Sequence, residues 1–175
     1  GNAELLKQAR FNRIVLPMAT SASHLMTAAV LFLIVLPFNI VWMPGSRMTL
    51  LLAPVTVFCM LLFAFGITFI IAGLNVYLRD TEHLVAAILQ PLFFLTPIFW
   101  VLADLPLAQE HAGVAKMLTY ANPVTPFMLT IQDTMFWGRW PGPGILLFSI
   151  VGGVSTFVAG VLIFRRLERN AVTAL

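Results

Sequence analysis

Charged residues are scarce in this sequence. Lys, Arg, Asp and Glu make up 10% of the 175 residues, whereas apolar types make up 60%. Because a soluble domain carries about 25% charged residues, too few are present to cover a water-facing surface. The net charge of +3 comes from basic residues near the ends of apolar runs. That distribution indicates membrane topology and argues against nucleic-acid binding, which favours one continuous basic face.

Patterns typical of enzymes and ion-coupled carriers are also missing. No acidic residue lies within an apolar run, although a proton-coupled carrier usually has a carboxylate near the membrane midplane. The sequence lacks G-x-S-x-G, H-E-x-x-H and the G-x-x-x-x-G-K-[ST] phosphate loop. The single cysteine, Cys59, cannot form an internal disulfide, and His24 is a lone histidine within a span. We therefore expect no catalytic residue, metal site or cofactor, and no ATP binding through a phosphate loop.

Four apolar stretches are long enough to cross a membrane, which takes about 20 residues in a helix. They are residues 16–38, 49–77, 84–103 and 145–164. Residues 104–144 mix polar and apolar patches, and we expect outer re-entrant helices there. The sequence thus predicts an all-α fold, a polytopic membrane helical bundle forming one transmembrane domain over residues 1–175.

Prolines modify this pattern of spans. Pro44 and Gly45 predict a turn after the first span. The second span is longer than the membrane is thick, so it must tilt, kink at Pro54 or project outward. Pro91 and Pro97 predict a broken or kinked third span, because proline removes a backbone donor.

Basic residues and tryptophans predict the orientation. With a cytoplasmic N-terminus, seven basic residues fall inside and three outside, as the positive-inside rule requires. Those inside are Lys7, Arg10, Arg13, Arg79, Arg165, Arg166 and Arg169, and those outside are Arg47, Lys116 and Arg139. The tail, residues 165–175, is then cytoplasmic. All four tryptophans fall on the outer side, where indole rings anchor at the interface; sugar or lipid contact is the alternative.

Three local patterns add detail. In residues 1–15, apolar and basic residues recur near helical spacing, which predicts an amphipathic helix that lies on anionic lipid or docks on a cytoplasmic partner. Residues 73–83 form a tight cytoplasmic link, in which Asp80 or Thr81 is expected to cap the next helix. In the last span, Gly152, Thr156 and Gly160 recur every four residues, a spacing that lets helix backbones approach closely.

These segments together resemble the permease subunit of an ABC exporter of the type-2 membrane-domain class. The resemblance is closest to the branch that exports O-antigen, teichoic acid, capsule or other polysaccharides. It is carried by residues 2–17, by Asn-Val-Tyr-Leu-Arg-Asp at 75–80 leading to Phe-Phe-Leu-Thr-Pro-Ile at 93–98, and by Asn-Pro-Val-Thr-Pro at 122–126. Their order and spacing match the family over nearly the whole chain.

The resemblance implies the architecture and partners of such a permease. The family has six spans, so we expect the first two and an interface helix to precede this chain, whose first residue is Gly1 and not Met. The implied partners are a separate ATP-binding subunit, a second permease copy in a homodimer, membrane lipids and a lipid-linked glycan. The implied location is the cell inner membrane, with both ends of the chain cytoplasmic.

The resemblance also assigns candidate site residues. Residues 1–15 would be the coupling helix that docks on the ATPase, with contacts from Leu5, Leu6, Lys7, Arg10 and Phe11. The cytoplasmic link would use Tyr77, Arg79 and Asp80. Candidates for the outer interface or substrate path are Trp42, Trp100, Asn122, Pro123, Trp137 and Trp140.

The chain departs from the family pattern in two segments. It has Phe11-Asn12 where the family often has Phe-Pro, and Leu129 and Gln132 where the family often has Glu and Arg. A membrane-embedded enzyme, a non-transport scaffold, and an ABC exporter permease for a lipid or drug remain alternatives.

Overall fold

The computed structural model describes residues 15–75, 77–78 and 80–173. All regular elements within these residues are helical, which confirms the predicted all-α fold. The α-helices are α1 (Val15–Trp42), α2 (Ala53–Asn75), α3 (Thr81–Leu95), α4 (Pro106–Glu110), α5 (Ala112–Ala121), α6 (Thr125–Met135) and α7 (Pro143–Thr173). Short 3₁₀ turns lie at Pro44–Ser46, Thr49–Leu52 and Leu102–Asp104.

Three helices of the described chain are long and apolar enough to cross a membrane: Ala22–Trp42, Thr49–Asn75 and Pro143–Arg169. They correspond to the first, second and fourth predicted spans. The first helix extends past Phe38 to Trp42, and the last continues through the arginines of the predicted tail. The predicted tail, residues 165–175, is thus helical as far as Thr173, and its cytoplasmic location stays a prediction.

The third predicted span, residues 84–103, is helical only as far as Leu95. Helix α3 has 15 residues, a length of about 22 Å at 1.5 Å per residue, which is short of a bilayer core. The helix ends because Thr96 precedes Pro97, and a residue before proline is forced out of the helical conformation. Thr96 accordingly has φ −78° and ψ 131°, in the extended region.

The other prolines do not break their helices. Pro54 is the second residue of α2. The N–H groups of a helix's first turn have no acceptor within the helix, so proline removes no hydrogen bond there and does not require a kink. Pro91 lies inside α3, which continues past it, so the predicted break occurs only at Pro97. Pro44 begins a 3₁₀ turn, as the sequence predicts.

The centre of the bundle is the pairing of α2 with α7, which run parallel to each other. Three backbone contacts follow one another in register. Gly153 approaches Cys59, Gly160 approaches Gly66, and Phe164 approaches Gly73. Between them, the ring of Phe69 lies 6.1 Å from those of Phe157 and Phe164. Since two parallel helices cannot be joined by a short turn, the chain returns to the opposite end of the bundle between Asn75 and Pro143.

Glycine makes this close approach possible. A β-carbon on Gly66 would lie 2.4 Å from the carbonyl oxygen of Thr156, and one on Gly160 would lie 2.3 Å from that of Gly66. The predicted packing face of α7 therefore exists, with one correction. Gly153 contacts the α2 backbone, whereas Gly152 faces the rings of Phe148 and Phe127.

Helix α1 packs loosely on this pair and presents most of its surface outward. The exposed fractions of Met26 and Leu33 are 73% and 66%. A groove of 440 Å³ lined by apolar side chains lies between α1 and α2. Such extensive apolar exposure is incompatible with a monomer in water and fits a helix surrounded by lipid or by further protein.

Gly160→Leu should destabilise the protein. The added side chain has to displace the α2 backbone at Gly66, which overpacks the contact and lowers the free energy of unfolding by about 3 kcal/mol. The measurement is thermal unfolding of the purified protein in detergent. Val158→Leu is the matched control, since Val158 is exposed on the same helix. Equal melting temperatures for the two variants would contradict the packing model.

Candidate functional site

Helices α5 and α6 form a hairpin whose tip is buried within the bundle. Helix α6 begins beside the middle of α2, where the ring of Phe127 is fully buried and its centroid lies 5.3 Å from that of Phe63. It ends at the Arg47 end of the bundle, where Met135 is also buried. The hairpin thus enters and leaves the bundle from the same end, which is the geometry expected of re-entrant helices.

Asn122 fixes the tip of this hairpin to α3. Its side-chain amide donates hydrogen bonds to the carbonyl oxygen of Leu92 (3.0 Å) and to Oγ1 of Thr96 (2.8 Å). Its Oδ1 atom accepts a hydrogen bond from the backbone N–H of Val124. Asn122 is only 3% exposed. Both amide hydrogens are therefore used inside the protein, and Asn122 serves as a structural clamp, with no donor left for a substrate.

Gln132 forms a second clamp on the same segment. Its Nε2 atom donates to the carbonyl oxygen of Pro97 at 2.5 Å. The two amides hold α3 on both sides of the point at which the helix ends, and their donors offset the loss of helical hydrogen bonds near the proline. The Gln132 amide thus bonds to the protein's own backbone.

The opposite end of α6 is attached to the connection between α1 and α2. Asn39 donates to the carbonyl oxygen of Met135, and its Oδ1 accepts a hydrogen bond from the hydroxyl of Ser46 (2.8 Å). The hydroxyl of Thr49 lies 2.7 Å from the carbonyl oxygen of Thr134. These polar groups are buried, so their hydrogen bonds offset a desolvation cost and specify this arrangement.

Gly138 completes the attachment. Its φ of 58° lies in the left-handed region that glycine adopts without strain. A β-carbon there would also lie 2.7 Å from the carbonyl oxygen of Gly45. Sequence analysis did not single out Asn39, Ser46, Thr49 or Gly138. Two features of the sequence could have pointed to these residues: Asn39 is a polar residue within an apolar run, and Gly138 follows a segment of helix length.

An apolar groove of 530 Å³ runs between the hairpin and the α2–α7 pair. Its lining includes Pro123 and four aromatic rings, those of Phe63, Tyr120, Phe127 and Phe148. The centroids of Tyr120 and Phe148 are 5.4 Å apart. A lining of this kind suits a hydrocarbon chain better than a hydrophilic ligand. Pro123, one of the predicted outer residues, therefore lies in an apolar groove.

The four tryptophans have different environments. Trp42 and Trp140 are each 67% exposed, and Trp42 stacks on Phe38 at 4.5 Å between centroids. Trp100 donates from Nε1 to the carbonyl oxygen of Phe94 (3.1 Å). Trp137 is half exposed and lies under the Arg139 guanidinium, with 5.4 Å from Cζ to the ring centroid. Trp42 and Trp140 therefore lie mostly on the surface, whereas the indoles of Trp100 and Trp137 have polar or charged partners.

The link predicted to be cytoplasmic, residues 73–83, lies at the other end of the bundle. The hydroxyl of Tyr77 donates to the carbonyl oxygen of Leu167 at 2.8 Å, which ties the end of α2 to α7. Asp80 occupies the N-cap position of α3 but forms no side-chain cap. Thr81 donates to the carbonyl oxygen of Leu78, so the predicted side-chain cap was wrong. Arg79 lies outside the described residues.

The predicted coupling contacts, Leu5, Leu6, Lys7, Arg10 and Phe11, also lie outside the described residues. Within the part of the chain that the structure describes, no three His, Cys, Asp or Glu side chains come together in a way that could hold a metal ion. The ion pair between Asp133 and Arg139 has an N–O distance of 3.9 Å. Burial raises the pKa of Asp133, and the nearby Arg139 guanidinium opposes that shift.

Asn122→Ala should destabilise the hairpin. The change leaves the part-buried N–H of Val124 without its acceptor and removes the donors to Leu92 and Thr96, which costs about 1–3 kcal/mol. Thermal unfolding in detergent measures the loss, and protease cleavage in residues 96–124 reports local opening. Asn75→Ala, at an exposed position, is the control. A melting temperature and cleavage rate like those of the control would show that Asn122 is not a clamp.

The chain is 28% identical over 169 residues to the O-antigen export system permease protein RfbA of Myxococcus xanthus, covering 96% of this chain and 64% of that protein. Two Klebsiella pneumoniae proteins of the same name are 27% and 28% identical over 172 residues, each covering 95% of this chain and 62% of the relative. No family model matches the chain, and no solved structure matches it significantly.

The chain therefore spans less than two thirds of the length of these relatives while aligning along almost all of its own. Because the similarity covers 95–96% of the chain, it includes the interior segments 75–80, 93–98 and 122–126. The resemblance indicated by the motifs is thus confirmed: over nearly its whole length, this multi-pass membrane chain is similar to permease subunits of O-antigen export systems.

Proposed function

We propose that this chain is the membrane permease of an ATP-driven ABC exporter that moves a lipid-linked, O-antigen-like polysaccharide across the cytoplasmic membrane. The observation that carries the proposal is the similarity to O-antigen export permeases along 95–96% of the chain. The all-α bundle with three candidate spans agrees with a membrane subunit. ATP hydrolysis would belong to a separate subunit, because this sequence has no phosphate loop.

The proposed complex contains two copies of the permease and two ATPase subunits. ATP binding closes the ATPase pair, the coupling helix of residues 1–15 moves, and the path between the permease copies opens as the population shifts between two conformations. The exposed apolar surface of α1 leaves room for lipid or for further membrane helices.

Hydrogen bonds of the described bundle offer a route for this movement. Helix α1 follows the proposed coupling helix directly and bonds through Asn39 to the end of α6. The same hairpin bonds through Asn122 and Gln132 to α3. A displacement of α1 at the cytoplasmic end would therefore shift the outer hairpin and α3 together, since buried polar contacts resist being broken one at a time.

The function is tested by whether the chain acts with an ATPase. Purified protein reconstituted with its ATP-binding subunit should stimulate ATP hydrolysis, and a strain lacking the permease should retain lipid-linked glycan inside the cell. Turnover of a substrate by the permease without any ATPase would instead identify a membrane-embedded enzyme.

The double substitution Leu6→Asp with Phe11→Asp should uncouple ATP hydrolysis from export. Buried apolar anchors dominate such interfaces, and rim charges such as Lys7 and Arg10 contribute less. Co-purification with the ATPase and glycan export are measured together. The matched variant is Lys7→Gln with Arg10→Gln, which would be the more damaging of the two if the segment only lay on anionic lipid. Full ATPase binding and export by the apolar double variant would rule out a coupling role.

The proposed orientation puts Arg139 outside and Arg166 inside the cell. In a background with Cys59→Ala, single cysteines at these positions should react with a membrane-impermeant thiol reagent from opposite sides. Arg139→Cys should label in intact spheroplasts, and Arg166→Cys only in inverted vesicles. The reverse pattern would overturn the orientation.

A further inference from the structure

A cavity of 300 Å³ lies at the Arg139 end of the bundle, separate from the apolar groove. It is enclosed by the segment after α3, by α4 and α5, by the second half of α6 and by the start of α7. Most of its lining is aliphatic, and the remaining residues are Gln109, Gln132, Asp133, Trp137 and Arg139. An apolar cavity with a few convergent polar groups is the usual form of a small-ligand site.

The charges of this cavity compensate each other. Its lining contains one carboxylate, that of Asp133, and one guanidinium, that of Arg139, which form an ion pair. An anionic ligand such as a phosphate would approach the carboxylate, and a cationic ligand would approach the guanidinium. Each would gain little from such a site, because the nearby like charge opposes the attraction. The cavity therefore suits an uncharged ligand that forms hydrogen bonds.

The polar groups retain hydrogen-bonding capacity. At 3.9 Å, the contact between Asp133 and Arg139 is longer than a hydrogen bond. The Asp133 oxygens can thus accept hydroxyl donors, and the guanidinium can donate to hydroxyl or ring oxygens. Partial burial of Asp133, which raises its pKa, strengthens any hydrogen bond formed there, because water competes less effectively.

Trp137 supplies an apolar surface beside these groups. The left-handed conformation of Gly138 turns the chain back after α6. The backbone N–H of Arg139 then bonds to the carbonyl oxygen of Asp133 at 2.9 Å. This turn holds the indole ring and the ion pair together at one edge of the cavity. A sugar ring has an apolar C–H face and a rim of hydroxyls, and the combination of indole with carboxylate and guanidinium matches both.

We propose that this cavity binds one neutral hexose unit of a glycan, with the Trp137 indole against the sugar face and Asp133 and Arg139 bonded to its hydroxyls. The inference rests on the proposed export function, which it deepens by naming a sugar contact at the outer end of the permease. The cavity volume of 300 Å³ is large enough for one sugar ring and too small for a folded oligosaccharide.

The test uses the permease with its ATPase subunit in lipid nanodiscs. Saturation-transfer difference NMR is recorded with the methyl glycosides of glucose, galactose, mannose and rhamnose. Signals from the ring protons of at least one glycoside are expected. Trp137→Leu should weaken that binding about tenfold, the upper range for loss of an aromatic contact. Trp140→Leu, at an exposed tryptophan three residues away, should bind as the unchanged protein does.

A second variant separates ligand contact from folding. Asp133→Asn keeps the shape of the side chain and should weaken glycoside binding without changing the melting temperature. The proposal is overturned if no glycoside binds, if Trp137→Leu binds like Trp140→Leu, or if inorganic pyrophosphate binds to the cavity in place of the glycosides. Failure of the export function would appear differently, as normal surface glycan in a strain that lacks the permease.

Discussion

The rest of the structure depends on the close contact between the backbones of α2 and α7. Gly66, Gly153 and Gly160 let the two helices approach until a single added methyl group would collide with a carbonyl oxygen. Because lipid is as apolar as most side chains, burial from water cannot hold two membrane helices together, and dispersion contacts at short range must do so. The parallel direction of the pair then obliges the intervening chain to return across the bundle.

The short helix α3 and the α5–α6 hairpin make that return. Polar side chains hold the two elements to each other and to the rest of the bundle. Asn122 and Gln132 satisfy carbonyl oxygens beside the end of α3, and Asn39 does the same at the end of α6. An irregular backbone at membrane depth is tolerated only where protein supplies the missing hydrogen bonds. The side-chain amides of the hairpin are therefore a requirement of its position, and each is used in the interior.

The bundle accordingly has two chemically different regions beside α6. The groove between the hairpin and the α2–α7 pair is aromatic and apolar, whereas the cavity near Trp137 carries a compensated ion pair. A substrate that joins a lipid to a glycan has the same two chemical parts. The separation arises because α6 runs from the middle of α2, where Phe127 lines the groove, to the Arg47 end of the bundle, where Asp133 lines the cavity.

The sequence by itself determined the class of the protein. Composition, the lengths of apolar runs and the ordered motifs predicted an all-α membrane bundle and its similarity to exporter permeases, because hydropathy and helix length are local properties. Of the four spans predicted, three are long apolar helices in the structure. Only the tertiary structure decided that α3 stops before Pro97, that Gly153 rather than Gly152 faces α2, and that the Asn122 side chain hydrogen-bonds to Leu92, Thr96 and Val124. Each depends on residues distant in sequence, as with Asn122 and Leu92 or Asn39 and Met135, and periodicity does not identify a partner across the fold.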